Sequence, residues 1–308
     1  MKILVTGGAG FIGSHIVEHF QGLATEIRVL DNLRTGYQHN LTEFDCNFIH
    51  GSITDRALVK KAVQGIDYIF HMAALVSVPE SMKNLSECVD INVTGLINVL
   101  EEASAANVKK IVFASSAAVY GDNPSCPKVE TMCPAPKSPY AITKLDGEQY
   151  LEIFHNEGKI LTTSLRFFNV FGPRQDPNGA YAAAVPIFIE KALRGESITI
   201  HGDGQQTRDF IYVKDIVGAL VYAAMNVDMK GCYNAGYGTQ TSIQHLADNI
   251  IAMEATSCQI NYKQPRPGDI KHSLASAERL RSAGWKPDYT LKDGLAETFT
   301  FSKASLRL

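Results

Sequence analysis

Thr6-Gly7-Gly8-Ala9-Gly10-Phe11-Ile12-Gly13 follows directly on the apolar run Ile3-Leu4-Val5 and opens a segment of helical character. The glycines at 7, 10 and 13 permit a tight turn, close approach of a diphosphate, and close packing of helix against strand. The helix N-terminus then offers unpaired N–H groups to the anion. Eighteen residues after Gly13, the run Arg28-Val29-Leu30 ends in Asp31. A carboxylate at that offset accepts hydrogen bonds from ribose hydroxyls and repels a 2′-phosphate. Turn and acid together predict a dinucleotide site that favours NAD over NADP. Arg34 is the nearby group that would soften this discrimination.

Strand-like and helix-like segments alternate outward from this turn. Short apolar runs recur at Ile27–Leu30, Phe48–Ile49, Tyr68–Phe70, Ile111–Phe113 and Thr163–Phe168. From Val89 through Val93, Leu96, Ile97, Leu100 and Ala103 the apolar residues step by three and four, which marks one face of a helix. Such alternation predicts an α/β chain with right-handed crossovers, a Rossmann-type doubly wound parallel sheet and a smaller α/β substrate domain. Residues 1–173 plus about 208–235 are expected to form the dinucleotide-binding domain. About 174–207 and 236–308 are expected to form the domain that holds the substrate. The stretch from Gly121 to Pro139, with prolines at 124, 127, 134, 136 and 139, is expected to be a long ordered loop.

Bulk properties exclude other classes. In 308 residues, 45% hydrophobic and 20% charged, a formal net charge of −3 provides no basic field for a nucleic-acid backbone. The N-terminal apolar run is too short for a signal peptide, and no stretch approaches a membrane-spanning length. The six cysteines show neither CxxC pairing nor zinc-like spacing, so no metal site is expected, and reduced thiols in a cytoplasmic protein are.

Tyr140-Ala141-Ile142-Thr143-Lys144 places a phenol and an ammonium one helical turn apart on the same face. A cation there is expected to favour the phenolate and lower the tyrosine pKa toward working pH. The preceding strand ends in Ala114-Ser115-Ser116, which would deliver a hydroxyl to the same pocket at the strand C-terminus, where open parallel sheets bind ligands.

These stretches resemble the extended short-chain dehydrogenase/reductases over essentially the whole chain, and among them the 4-epimerases of UDP-hexoses. Leu30–Leu33, His71–Ala74, Ser115–Gly121, Arg166–Pro173, Gly202–Phe210 and Arg266–Asp269 carry the resemblance alongside the glycine turn and the Tyr–Lys pair. The resemblance implies that Tyr140 is base and acid, Lys144 its electrostatic partner, and Ser116 the hydroxyl that holds the sugar oxygen. It further implies transient oxidation to a 4-keto sugar, with NAD regenerated each turnover. The cofactor would be bound by Gly7, Gly10, Phe11, Ile12, Gly13, Asp31, Asn32, Ser52, Ile53, Ala73, Ala74, Tyr140, Lys144 and Phe168. Asn169, Arg208, Arg266 and Asp269 would hold the diphosphate and uridine ribose of a UDP-sugar, the arginines through their planar forks. Relatives usually carry Asp-Ile where this chain has Ser52-Ile53, so weaker adenine anchoring is expected.

Related dehydratases place Asp-Glu after the catalytic hydroxyl, and related decarboxylases use a glutamate in the same segment. Here Ala117-Ala118 cannot transfer protons, which disfavours elimination and leaves epimerisation. Seven residues after Arg266, where a tyrosine would restrict the site to glucose and galactose, stands Ser273; it is expected to admit an N-acetyl group, with Val76 adding bulk against it. The alternatives are a UDP-glucuronate 4-epimerase, for which no cation cluster is evident, and a non-catalytic dinucleotide sensor, which would not need the Tyr–Lys pair. The resemblance also implies a homodimer formed through the helices around Val89–Ala103 and Tyr140–Phe154, with Ile142, Leu145 and Ile153 in the contact or in the core.

Overall fold

The structure, a computed structural model, describes residues 1–179, 182–254, 258–265 and 271–306. Six parallel strands alternate with helices: β1 (Lys2–Thr6), α1 (Phe11–His19), β2 (Glu26–Asp31), β3 (Asn47–His50), α2 (Arg56–Ala62) and β4 (Tyr68–His71) come first. Then follow α3 (Val78–Lys83), α4 (Leu85–Val89), α5 (Gly95–Ala105), β5 (Lys110–Ser116), α6 (Pro139–Asn156) and β6 (Leu161–Phe167). Beyond β6 the chain leaves the sheet through β7 (Asn169–Phe171), α7 (Ala184–Leu193), β8 (Ile198–His201), β9 (Thr207–Arg208) and β10 (Phe210–Tyr212). It returns along α8 (Val213–Met225) to lay down β11 (Gly231–Ala235). The sheet order is β11-β6-β5-β4-β1-β2-β3, all parallel. The connections from β1 and β4 run to opposite sides, and a crevice opens above their C-terminal ends.

Alternation within the buried strands assigns the two faces. Ile3, Val5, Val29, Phe70, Val112 and Leu165 pack with α1 (Ile16, Val17) and α8 (Ile216, Ala219, Leu220, Ala223). Leu4, Leu30, Ile69, Ile111 and Phe113 point the other way, onto α2 (Val59, Ala62) and α5. In α5 the fully buried residues are Leu96, Val99, Leu100 and Ala103, the three- and four-residue steps of a single face. Each large aliphatic buried there stabilises the fold by about 1.5–3 kcal/mol. Strands covered on both sides read as short continuous apolar runs, which is why they were legible.

A third core lies at the sheet's C-terminal end. It joins α7, α9 (Ile243–Met253) and α11 (Leu291–Ser305) to the short strands β7, β8 and β10. β7 pairs β10, and β8 pairs β13 (Ile260–Lys263), both in parallel; β9 pairs β12 (Thr241–Ser242) antiparallel. A short helix, α10 (Glu278–Ser282), packs on β11.

The expected helix over 89–103 is interrupted. Between α4 and α5, Asp90–Thr94 forms one wide π turn. Asn92, at its centre, points inward: its Oδ1 accepts from the Leu75 N–H (2.7 Å), and its Nδ2 donates to Leu75 O (3.1 Å) and Thr143 Oγ1 (3.0 Å). A π turn of this kind commonly marks a functional position.

The proline-rich segment after Gly121 is tied down as expected. Ala135 N–H bonds Val119 O, and Lys128 N–H bonds Leu274 O. Among the described residues, no helix is long and apolar enough to cross a membrane.

Candidate active site

A cavity of about 1420 Å³ runs over the C-terminal ends of β1, β2, β4 and β5 and continues to α7 and β8. Its floor at the β1 end is the glycine turn. Gly7 has φ +70°, and a Cβ there would sit 2.7 Å from the Ala73 nitrogen. At Gly13 a Cβ would come within 2.2 Å of Gly7 O, so only glycine lets α1 start so close to β1. At Gly10 a Cβ would come 3.2 Å from Gly7 O, a tight contact, with no other atom within 4 Å. The first-turn N–H groups of α1 lack intrahelical partners, and Phe11, Ile12 and Gly13 face the cavity. This cradle fits a dinucleotide diphosphate.

Asp31 is buried on the neighbouring wall. Its Oδ2 accepts from Ala9 N–H (2.9 Å) and its Oδ1 from Leu33 N–H (2.8 Å), which fixes the carboxylate in place. Burial pushes its pKa up, while those two N–H groups hold it down. Asn32, Ser52, Ile53, Ala73, Ala74 and Phe168 line the same cavity, so every residue expected to touch the cofactor does face it. The Ser52 hydroxyl is shared with the Thr54 side chain at 2.8 Å and accepts from Thr54 N–H, closing a local turn.

The three residues expected to be catalytic converge where β5 ends. Ser116 is the last residue of β5 and caps a short 3₁₀ turn, Ala117–Tyr120, by accepting from Ala118 N–H. Pro139 and Tyr140 open α6, with Ser138 as the capping residue (Ala141 N–H to Ser138 Oγ, 3.2 Å). This start fixes where the phenol points: Tyr140 lines the cavity together with Ser116 and Lys144. One turn on, Lys144 is buried; its Nζ donates to Ala114 O at 2.8 Å and lies 4.8 Å from the centroid of the Phe113 ring.

One expectation fails here. The Tyr140 phenol is shifted up, not down: its burial outweighs the lowering influence of the nearby Ser116 hydroxyl. The Lys144 ammonium, 5.8 Å from the phenol ring centroid, is turned toward the Ala114 carbonyl. Burial also lowers the Lys144 pKa to about 8. Burial thus keeps the phenol neutral at pH 7 and brings Lys144 closer to titration.

Toward the far end, Asn169 and Arg208 line the cavity, Asn169 Nδ2 donating to Asp209 O (3.1 Å) and Arg208 donating to Thr207 O (2.9 Å). Ser273 is not among the residues that line it; its N–H is tied to Thr207 O (3.1 Å). Arg266 and Asp269 lie outside the described residues. Val76, by contrast, stands on the cavity wall.

The structure adds positions that sequence reasoning passed over. Asn92 locks the Leu75 backbone to Thr143, between Tyr140 and Lys144 on α6; its signal was hidden because it sits inside an apolar helical pattern. Thr6 Oγ1 pairs with His71 Nδ1 (2.9 Å) beneath the glycine turn, and burial drives His71 down to about 3, so it is neutral. Behind the site, Arg166 grips Glu148 with two bonds of 2.8 and 2.7 Å, Ser115 donates to the same carboxylate, and Tyr120 joins Arg166 to Asn234.

Comparison with known proteins agrees with this geometry. Residues 3–236 match the model of the NAD dependent epimerase/dehydratase family. The UDP-glucose 4-epimerase of Mycolicibacterium smegmatis is 36% identical over 98% of both chains. A UDP-N-acetylglucosamine 4-epimerase from Methanobrevibacter ruminantium, solved with UDP-N-acetylmuramic acid, is 39% identical with TM-score 0.95, over 99% of this chain and 98% of that one. Thermus thermophilus UDP-glucose 4-epimerase, solved with NAD, is 35% identical with TM-score 0.89, over 98% of each. The chain is thus an isomerase with NAD as its cofactor, and it belongs to the NAD dependent epimerase/dehydratase family, within the extended short-chain dehydrogenase/reductases.

Proposed function

We propose that the chain interconverts the C4 epimers of UDP-hexoses, UDP-glucose with UDP-galactose and also UDP-N-acetylglucosamine with UDP-N-acetylgalactosamine, through a transient 4-keto sugar. The observation that carries this reading is that Tyr140, Ser116 and Lys144 line one cavity at the end of β5, with Ala117 and Ala118 as the residues that follow Ser116. Tyr140 and Ser116 can hold one sugar hydroxyl and move its proton, and the two alanines supply no second acid or base for elimination. Bound NAD supplies the reversible two-electron oxidation. Ser116 orients the 4-oxygen, Tyr140 takes its proton and later returns it, and Lys144 supports the phenolate as it forms. Asn169, Arg208, Arg266 and Asp269 are proposed to hold the nucleotide diphosphate while the sugar turns over in the cavity.

Breadth toward the acetylated sugar is supported by the similarity to the acetylglucosamine epimerase and by the cavity's size. Val76 is the side chain expected to limit it. Assembly as a homodimer is supported by apolar side chains left exposed on α3, α4 and α6, which pack together: Val78, Met82, Leu85, Val89, Ile142 and Ile153. Leu145, by contrast, packs inward. Six unpaired cysteines support a cytoplasmic setting.

The test is to incubate purified protein with UDP-N-acetylglucosamine or UDP-glucose, with and without added NAD, and follow the sugar by proton NMR. Appearance of both galacto epimers is expected. Conversion of the plain sugar alone would overturn the acetyl reading; silence on both would overturn the reaction and bring UDP-glucuronate forward as the next substrate. Sedimentation at low concentration tests the dimer, and a monomer would refute it.

A further inference from the structure

Arg34 lies three residues beyond Asp31 on the same cavity wall. In dinucleotide folds these two residue types work against each other. A strand-end acid takes the 2′-hydroxyl and repels a 2′-phosphate, whereas an arginine nearby accepts the phosphate. This chain carries both, so Asp31 alone does not decide the cofactor.

The guanidinium is already engaged. One Arg34 nitrogen donates to Glu80 Oε1 at 2.9 Å and lies 3.0 Å from Glu87 Oε2. Glu80 comes from α3 and Glu87 from α4, across the cleft from β2, and Glu80 and Lys83 line the same cavity. With Asp31 and Lys83 counted, this lip sets three carboxylates against two cations. A ribose hydroxyl meets no penalty there. A 2′-phosphate meets net negative charge and a fork turned to other partners. All three side chains of the triad are partly exposed, so the ion pairs add little to stability; their consequence is the direction in which the fork points.

We propose that Glu80 and Glu87 are cofactor-specificity residues, which hold Arg34 away from the ribose 2′ position and so make the site reject NADP. The test equilibrates wild type, Glu80→Gln/Glu87→Gln, and the same pair with Arg34→Ala in mixtures of NAD and NADP at graded ratios. The proteins are then desalted, and the retained nucleotides are separated by chromatography. Wild type is expected to keep NAD. The double variant should shift the retained ratio toward NADP by about tenfold or more, the gain from one charge-assisted arginine–phosphate contact. Removing Arg34 from that background should cancel the shift. An unmoved ratio, equal loss of both nucleotides, or a gain that survives without Arg34 would each overturn the proposal. If the double variant melts early, Glu87→Gln alone, the more exposed of the two, runs the same test at smaller amplitude.

Discussion

Replacing Glu148 with glutamine should damage both the fold and the site, by an amount the structure bounds. The carboxylate is almost wholly buried, with Arg166 bonded to both its oxygens and only 5% exposed itself. The amide keeps the shape and removes the charge, so Arg166 is left buried without its counter-ion. Breaking a buried pair in this way costs about 3–5 kcal/mol. At roughly 2 °C per kcal/mol for a chain of this size, the melting temperature should fall by about 6–10 °C. The damage should reach the chemistry as well, because Ser115 donates to the same carboxylate and adjoins Ser116, and Glu148 follows Lys144 by one turn of α6. Calorimetry and epimerase turnover on one preparation measure the two effects. Replacing Glu148 and Arg166 together with methionine should recover part of the lost stability, since no charge is then left unpaired. A melt within about 2 °C of wild type for Glu148→Gln would refute the reasoning.

Tyr140→Phe should lower turnover by about 10²–10⁴-fold while NAD stays bound, checked by kinetics and by nucleotide release on denaturation. Lys144→Met should abolish turnover yet leave the fold at least as stable at pH 7. Because burial sets the folded lysine near 8, below its unfolded value, the folded state binds fewer protons between about pH 8 and 10.5, and wild type should gain stability relative to this variant as pH rises through that window. Denaturant titrations across the range decide it; a difference that stays flat would remove the burial argument. Asn92→Leu should cost about 2–4 kcal/mol, because the Leu75 N–H and C=O lose their partners in a closed interior, and α6 should lose its grip on Thr143. Unchanged unfolding and unchanged turnover would count against any positioning role.

What could be read from the sequence was chemistry confined to one turn or one helix. Gly7, Gly10 and Gly13 announce a backbone shape wherever they occur after a strand. Tyr140 and Lys144 share a face because four residues separate them, whatever surrounds the helix. Asn92, the Thr6–His71 pair and the carboxylates on Arg34 were invisible because their meaning arises only when elements dozens of residues apart meet. The tyrosine's pKa failed for the same reason: spacing reports that a cation is near, but not that burial outweighs it or that the ammonium turns to Ala114. Ser273 was placed at the sugar by resemblance alone; in the structure its backbone N–H bonds Thr207 O in β9.

The sheet order carries a consequence for synthesis. β11, which covers the outer edge of β6 and supplies Asn234 to Tyr120, is encoded more than 60 residues after β6 ends. On the ribosome the first six strands can assemble while that edge still lacks its cover, for a period on the order of 3–12 s. An open strand edge, with its N–H and C=O groups unpaired, invites pairing with a neighbouring nascent chain. Fragments ending near residue 200 should therefore precipitate where the full chain remains in solution, and the vulnerable moment in this protein's life falls before its catalytic cleft is finished.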